Sequence, residues 1–146
     1  MKLINGNVFN HDGLDFICVT TNSILNKKGE LVMGAGVALE AKNRYPELPS
    51  VFGIKIGNLD LVGGDYYILQ HKNIIAFQTK RHYREKSPVD LVRKSINRLK
   101  FLATVFDDKV FGLPFPAINN GGLKKEDVLP MLLVLPDNVL VFELEG

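Results

Sequence analysis

Phe16-Ile17-Cys18-Val19-Thr20-Thr21-Asn22 and, after a lysine-rich excursion, Val32-Met33-Gly34-Ala35-Gly36-Val37-Ala38 are the stretches whose reading decides the fold. The first is a run of apolar, β-prone residues, which reads as a buried strand that delivers Asn22 at its carboxyl end. The second opens a helix with Val37, Ala38, Ala41 and Tyr45 on one face. Small residues at a helix start let a ligand approach the backbone closely. The free N–H groups and the positive end of the helix then favour a phosphate. A lone Gly-x-Gly is equally a plain turn. Strand, asparagine, small-residue loop and helix in that order point to a ligand site.

Outward from that unit, the chain reads as alternating strands and helices. Leu3-Ile4 is a short first strand ending at Asn5-Gly6-Asn7. The helix from Gly36 must stop before Pro46, and a second short helix begins near Pro49 and ends at Gly57-Asn58. Tyr66-Tyr67-Ile68-Leu69 and Ile74-Ile75-Ala76-Phe77 read as an antiparallel pair, since the connection between them is so short. Ser87-Pro88 predicts a helix start with a capping serine. Val92, Ile96, Leu99, Ala103 and Phe106 then follow at helical spacing and predict one buried face. Val110 to Leu113 is another buried strand, and Pro114 to Gly122 a glycine- and proline-rich loop. A helix follows from about Glu126 and tolerates Pro130 only in its first turn, and Val139 to Glu143 is the last strand. The expected fold class is α/β, a three-layer α/β/α sandwich with a mixed central sheet, in one domain over residues 1–146. Ligands in such sheets sit outside the carboxyl ends of the strands.

Composition narrows the class further. An apolar fraction of 46% is ordinary for a globular chain of 146 residues. A net charge of +2 does not by itself argue for nucleic-acid binding. The one cysteine, Cys18, lies mid-strand and reads as a buried structural thiol. No apolar run approaches the ~20 residues of a membrane span. Met1 to Gly6 is too polar for a signal peptide. The expectation is a soluble, cytoplasmic protein without membrane contact. No spacing of His, Cys or acidic residues suits a metal, so no metal site is expected.

These residues resemble a macro domain, the ADP-ribose-binding α/β module, along nearly the whole chain. Gly6-Asn7-Val8 falls where that family has Gly-Asp-Ile, and Thr20-Thr21-Asn22 matches its strand-end asparagine. Val32 to Ala38 is similar to its first phosphate loop, and Asn120-Gly121-Gly122-Leu123 to the end of its second. Phe77-Gln78-Thr79-Lys80-Arg81-His82-Tyr83-Arg84-Glu85-Lys86-Ser87 resembles the segment that carries the catalytic lysine in DNA ADP-ribosyl glycohydrolases. The glycohydrolase that frees terminal ADP-ribose from protein carboxylates has a similar lysine.

The resemblance implies a cleft that binds ADP-ribose and needs no cofactor beyond it. Its diphosphate would lie on Met33, Gly34, Ala35, Gly36 and Val37. Pro116, Ala117, Ile118, Asn119, Asn120, Gly121, Gly122 and Leu123 would cover it, and adenine would sit near Asn7 and Val8. Asn22 would orient the distal ribose, with Thr20 and Thr21 as strand and loop hydrogen-bonders. The implied activity is hydrolysis of an ADP-ribosyl linkage on nucleic acid or protein by a monomer, with Lys80 as the catalytic residue. A lysine can attack the C1″ of an opened ribose or protonate a leaving base. The alternatives are an ADP-ribose 1″-phosphate phosphatase and a non-catalytic ADP-ribose reader. Four exchanges stand out against the family pattern. Asn7 replaces an aspartate, Ala117 and Asn119 replace glycines, and Lys124 stands where an acidic residue is common. The cluster Lys80, Arg81, Arg84 and Lys86 around Tyr83 is either a solvated face or a contact for nucleic-acid phosphates.

Overall fold

The computed structural model describes residues 1–59 and 64–144. Among the described residues the chain forms β1 (Lys2–Asn5), a 3₁₀ turn at Val8–Asn10, β2 (Phe16–Thr21), α1 (Gly36–Arg44), α2 (Leu48–Gly57), β3 (Ile68–His71), β4 (Ile74–Gln78), α3 (Val89–Val105), β5 (Phe111–Pro114), α4 (Lys125–Leu132) and β6 (Val139–Glu143). The strands make one six-stranded sheet in the order β1-β6-β5-β2-β4-β3. All neighbours are parallel except β3, which runs antiparallel to β4 at the edge.

Both faces of the sheet are covered, so its central strands read as continuous apolar runs rather than alternating ones. Along β2, Cys18 turns to one core and Val19 to the other. Along β4, Ile75 and Phe77 join the first core and Ile74 and Ala76 the second. The first core is closed by α3 and α4 through Val92, Ile96, Leu99, Ala103, Val128 and Leu132. The second is closed by α1 and α2 through Ala38, Ala41, Leu48, Phe52 and Ile56. Cys18 is fully buried in the first core, and burial pushes its thiol pKa up, as expected of an inert structural thiol.

Four sequence expectations change. Tyr66 and Tyr67 precede β3 rather than belonging to it. Both their N–H groups go to Gln78 Oε1, at 2.8 and 3.1 Å, and Tyr67 has a φ of 63°, which no strand accommodates. Ser87 does not cap α3; Pro88 occupies the cap position, and the Ser87 N–H donates instead to the Gly121 carbonyl at 2.8 Å. Pro130 lies inside α4, beyond the first turn. It has no N–H to give to the carbonyl of Glu126, and a proline inside a helix costs about 3 kcal/mol. Phe106 leaves the helical path at the end of α3 and is exposed.

Candidate functional site

Because β1, β6, β5, β2 and β4 all run parallel, their carboxyl ends share one edge of the sheet. That edge carries Gly6-Asn7, Leu144, the loop after Pro114, Asn22 and Lys80. From neighbouring β2 and β5 the chain departs to opposite faces, into α1 and α4. A crevice at that divergence is where open α/β sheets bind ligands.

At the β2–β4 end, strand pairing sets the geometry. Thr79 and Lys80 both donate their N–H groups to the Thr21 carbonyl, at 2.9 and 3.4 Å. Lys80 therefore stands beside Thr21, one residue from Asn22. Asn22 is 9% exposed, and both ends of its amide are engaged. Nδ2 donates to the Val32 carbonyl at 3.1 Å and Oδ1 accepts from the Ile24 N–H at 2.9 Å. The residue thus ties the strand end to the first loop. The Tyr66 hydroxyl donates to the Asn22 carbonyl at 2.6 Å and meets Thr21 Oγ1 at 2.5 Å. Thr20 is half-buried.

Lys80 is itself only 9% exposed. Its Nζ donates to the Tyr83 carbonyl at 3.2 Å, and among the described residues no carboxylate lies within ion-pair distance of it. A buried lysine is ordinarily paired with an anion. Arg81, beside it, is paired: its guanidinium grips Asp65 through Nε and Nη2 at 3.0 and 2.9 Å. That grip holds the arginine's pKa above its usual value. Gln78 joins these parts. Fully buried, it accepts from Tyr66 and Tyr67 through Oε1 and donates through Nε2 to Asp65 at 3.3 Å and to the Lys80 carbonyl at 3.2 Å. Ser95 Oγ donates to its carbonyl at 2.7 Å. Sequence reasoning gave Gln78 no role. The signal was there: an amide ending an otherwise apolar strand must find partners when buried.

The two loops differ. Gly34, Ala35 and Gly36 are exposed, whereas Met33 is buried in the core against α1 and Val37 is half-buried. In the second loop Pro116, Ala117 and Gly121 are buried, Ile118 and Leu123 half-buried, and Asn119, Asn120 and Gly122 exposed. Ala117 takes a φ of 68°, the left-handed region that glycine adopts freely. Its side chain belongs to the buried core, so the exchange from glycine acts on the backbone of the loop. The Leu123 N–H donates to the Ala117 carbonyl at 2.9 Å and closes the loop. The stem of Lys86 lies along Gly122, a neighbour that sequence reasoning did not single out. Lys124 is exposed at the start of α4.

At the β1–β6 end, Asn7 begins the 3₁₀ turn, accepting from the Phe9 N–H at 2.9 Å, and Val8 is buried beneath it. Asn7, Val8, Gly36, Val37, Glu40, Pro114 and Phe142 line a cavity of about 320 Å³. Among the described residues no group of three His, Cys, Asp or Glu could hold a metal ion, and no helix is long and apolar enough to cross a membrane.

The fold is that of a macro domain. The macrodomain of Mycobacterium tuberculosis DarG superposes with a TM-score of 0.75 at 24% identity, covering 97% of this chain and 95% of that one. The macrodomain of Thermus aquaticus DarG gives 0.74 at 24% identity over 99% and 97% of the two chains. Thermosipho africanus DarTG, solved in complex with ADP-ribose, gives 0.74 at 22% identity, with 99% of this chain covering 42% of that one. Among curated sequences, the DNA ADP-ribosyl glycohydrolases of Mycobacterium bovis and Mycobacterium tuberculosis are 27% identical in an alignment of 121 positions that covers 78% of this chain. The chain spans about a third, 34%, of the length of those relatives. No family model matches the chain.

Proposed function

We propose that residues 1–146 are one macro domain that binds ADP-ribose and hydrolyses an ADP-ribosyl linkage on nucleic acid, with Lys80 as the catalytic residue. The observation that carries the reading is Lys80 itself: a buried lysine beside the strand-end asparagine, with no carboxylate partner among the described residues. An ammonium has three donors, and the Tyr83 carbonyl takes one. The others are available to an anionic ligand or a leaving base. The similarity to DNA ADP-ribosyl glycohydrolases supports nucleic acid as the carrier of the modification.

In this reading the diphosphate rests on the N–H groups at Gly34-Ala35-Gly36, where a helix start favours negative charge. The second loop, from Pro116 to Leu123, covers it. The distal ribose lies by Asn22 and Lys80. Hydrolysis breaks the bond from C1″ to the base; water supplies the hydroxyl to C1″ and the base leaves with a proton. Lys80 serves either as the donor of that proton or as a nucleophile on the opened ribose, forming a Schiff base that water then releases. The protein would work in the cytoplasm as a monomer, with no cofactor beyond the ligand.

The test is a side-by-side incubation with ADP-ribosylated DNA, ADP-ribosylated protein and ADP-ribose 1″-phosphate, following release of ADP-ribose or phosphate. Release from DNA is expected. Lys80→Ala should lower that rate by about a thousandfold, in the range of a lost acid–base or nucleophilic group. Its affinity for ADP-ribose should stay within about tenfold. A lysine that only binds would show the reverse pattern. Phosphate release alone would make the protein a phosphatase; binding without any turnover would make it a reader.

A further inference from the structure

The cavity at the β1–β6 end has apolar walls, from Val8, Val37, Pro114 and Phe142, and one polar corner, made by Asn7 and Glu40. The polar corner is wired in one sense. Asn7 Oδ1 accepts from the Phe9 N–H at 2.9 Å, which fixes the amide's orientation and turns Nδ2 toward Glu40 Oε1 at 3.0 Å. Glu40 Oε2 accepts from Arg44 Nε at 3.2 Å and pairs with Nη2 at 3.1 Å. Arg44 is braced in turn over the Phe9 ring, 4.8 Å from its centroid. The carboxylate is therefore held from both sides by groups that lock its plane.

The corner also has capacity left over. A carboxylate offers about four acceptor positions. Asn7 and the two Arg44 nitrogens take three, leaving one on Oε1. The Asn7 amide has a second N–H. The cavity thus presents a fixed acceptor beside a fixed donor, at the edge of a slot suited to a flat apolar ring. That pattern complements a ring bearing an exocyclic amino group next to a ring nitrogen.

We propose that Glu40 is the specificity-determining residue for the base of the bound nucleotide. Its Oε1 accepts from the exocyclic amine of adenine, and Asn7 acts as a positioning residue that aims it. This rests on the ADP-ribose reading of the cleft and names which side chain reads the base. The aspartate-to-asparagine exchange at position 7 then has a physical sense. The amide oxygen is spent on the 3₁₀ turn, and the charged acceptor has moved to the first turns of α1. A hydrogen bond to a charged acceptor is the stronger kind, so the move keeps the discrimination.

Calorimetry separates the possibilities. The wild-type protein is titrated with ADP-ribose and with its hypoxanthine analogue, in which a carbonyl replaces the amine. The expected preference for ADP-ribose is at least roughly tenfold, because the analogue sets an oxygen against the carboxylate. Glu40→Gln is nearly isosteric and puts a neutral amide in place of the charged acceptor: its oxygen can accept from Asn7 and the amine, or, with the amide turned over, its NH2 can donate to the analogue's carbonyl. It should cut the preference to about threefold or less while the melting temperature holds. If the wild type binds ADP-ribose but does not discriminate, or if Glu40→Gln keeps the full preference, the proposal for Glu40 fails and the ADP-ribose reading stands. If the wild type binds neither nucleotide, the reading of the cleft fails and the proposal falls with it.

Discussion

Gly34 in the first loop and Gly121 in the second are glycine for different reasons, while Gly36, at a φ of 56°, is held by its backbone. At Gly34, in the first loop, a side chain would meet nothing within 4 Å, and the backbone is not left-handed. Nothing in the fold demands glycine there. At Gly121, in the second loop, a Cβ would overlap the Ala117 carbonyl oxygen and Ser87 Oγ, so the fold forbids any side chain. The first loop is tied down from behind, by the Asn22 amide on Val32, by the Leu31 N–H on Pro49 at 2.9 Å and by the Val32 N–H on Ile24 at 2.9 Å. Its outer side, at Gly34, is exposed. The second loop is held by its own tight turn. A glycine that the fold does not need is a candidate for a ligand's requirement; a glycine that the fold does need says little about ligands.

Gly34→Val breaks the comparison most directly, and its expected effect is the largest. If the diphosphate sits on this loop, a branched side chain occupies its space. ADP-ribose affinity should fall by about a hundredfold or more, roughly 2.8 kcal/mol. The melting temperature should stay within a few degrees, since the site is open. Titration calorimetry and thermal denaturation on the same sample read both. Unchanged affinity in a folded variant would remove the first loop from the site.

Gly121→Ala tests the opposite claim. The added methyl must both displace backbone at Ala117 and rotate Ser87, and overpacking of this kind costs about 1–3 kcal/mol. Ser87 Oγ is buried and has no hydrogen-bond partner among the described residues, so it has no bond to lose by moving. The Ala117 carbonyl cannot move freely, because it holds the Leu123 N–H. Chemical denaturation should therefore show lost stability. A variant as stable as wild type would mean that the second loop is as open as the first.

This difference between the loops was not legible in the sequence, although much of the fold was. The strands and helices are set by apolar runs and by proline and glycine positions, because burial on both sheet faces leaves a strong compositional trace. Asn22 was legible for the same reason, as the residue at the carboxyl end of an apolar strand, whereas Lys80 stood out only through the resemblance of its segment to that of DNA ADP-ribosyl glycohydrolases. What the sequence hid were long-range side-chain bonds. Gln78 reaches Asp65 and Tyr66, Asn7 reaches Glu40, and Ser87 gives its N–H to the Gly121 carbonyl while its hydroxyl caps no helix. Spacing carries no trace of such partners, since each depends on elements that meet only in the folded sheet. β3 starts later than its apolar run predicts for this reason, because the Gln78 amide takes the tyrosine N–H groups that a strand would have used.

Ala117→Gly has the smallest expected effect, and three opposing contributions decide it. Alanine in the left-handed region is strained by about 1–2 kcal/mol, which glycine relieves. Against this, glycine adds backbone freedom to the unfolded chain, worth about 0.4–1 kcal/mol. Loss of a buried methyl costs roughly 0.8 kcal/mol more. The sum lies within about 1 kcal/mol of zero, so denaturation midpoints of wild type and variant should nearly coincide. Ala117→Val separates strain from accident, because a β-branched residue at a φ of 68° is a genuine outlier and also overfills the core there. It should lose about 2 kcal/mol or more. If Ala117→Gly is instead destabilised by as much as Ala117→Val, the position is governed by packing and not by its backbone. The second loop would then resemble the first in carrying no strain of its own.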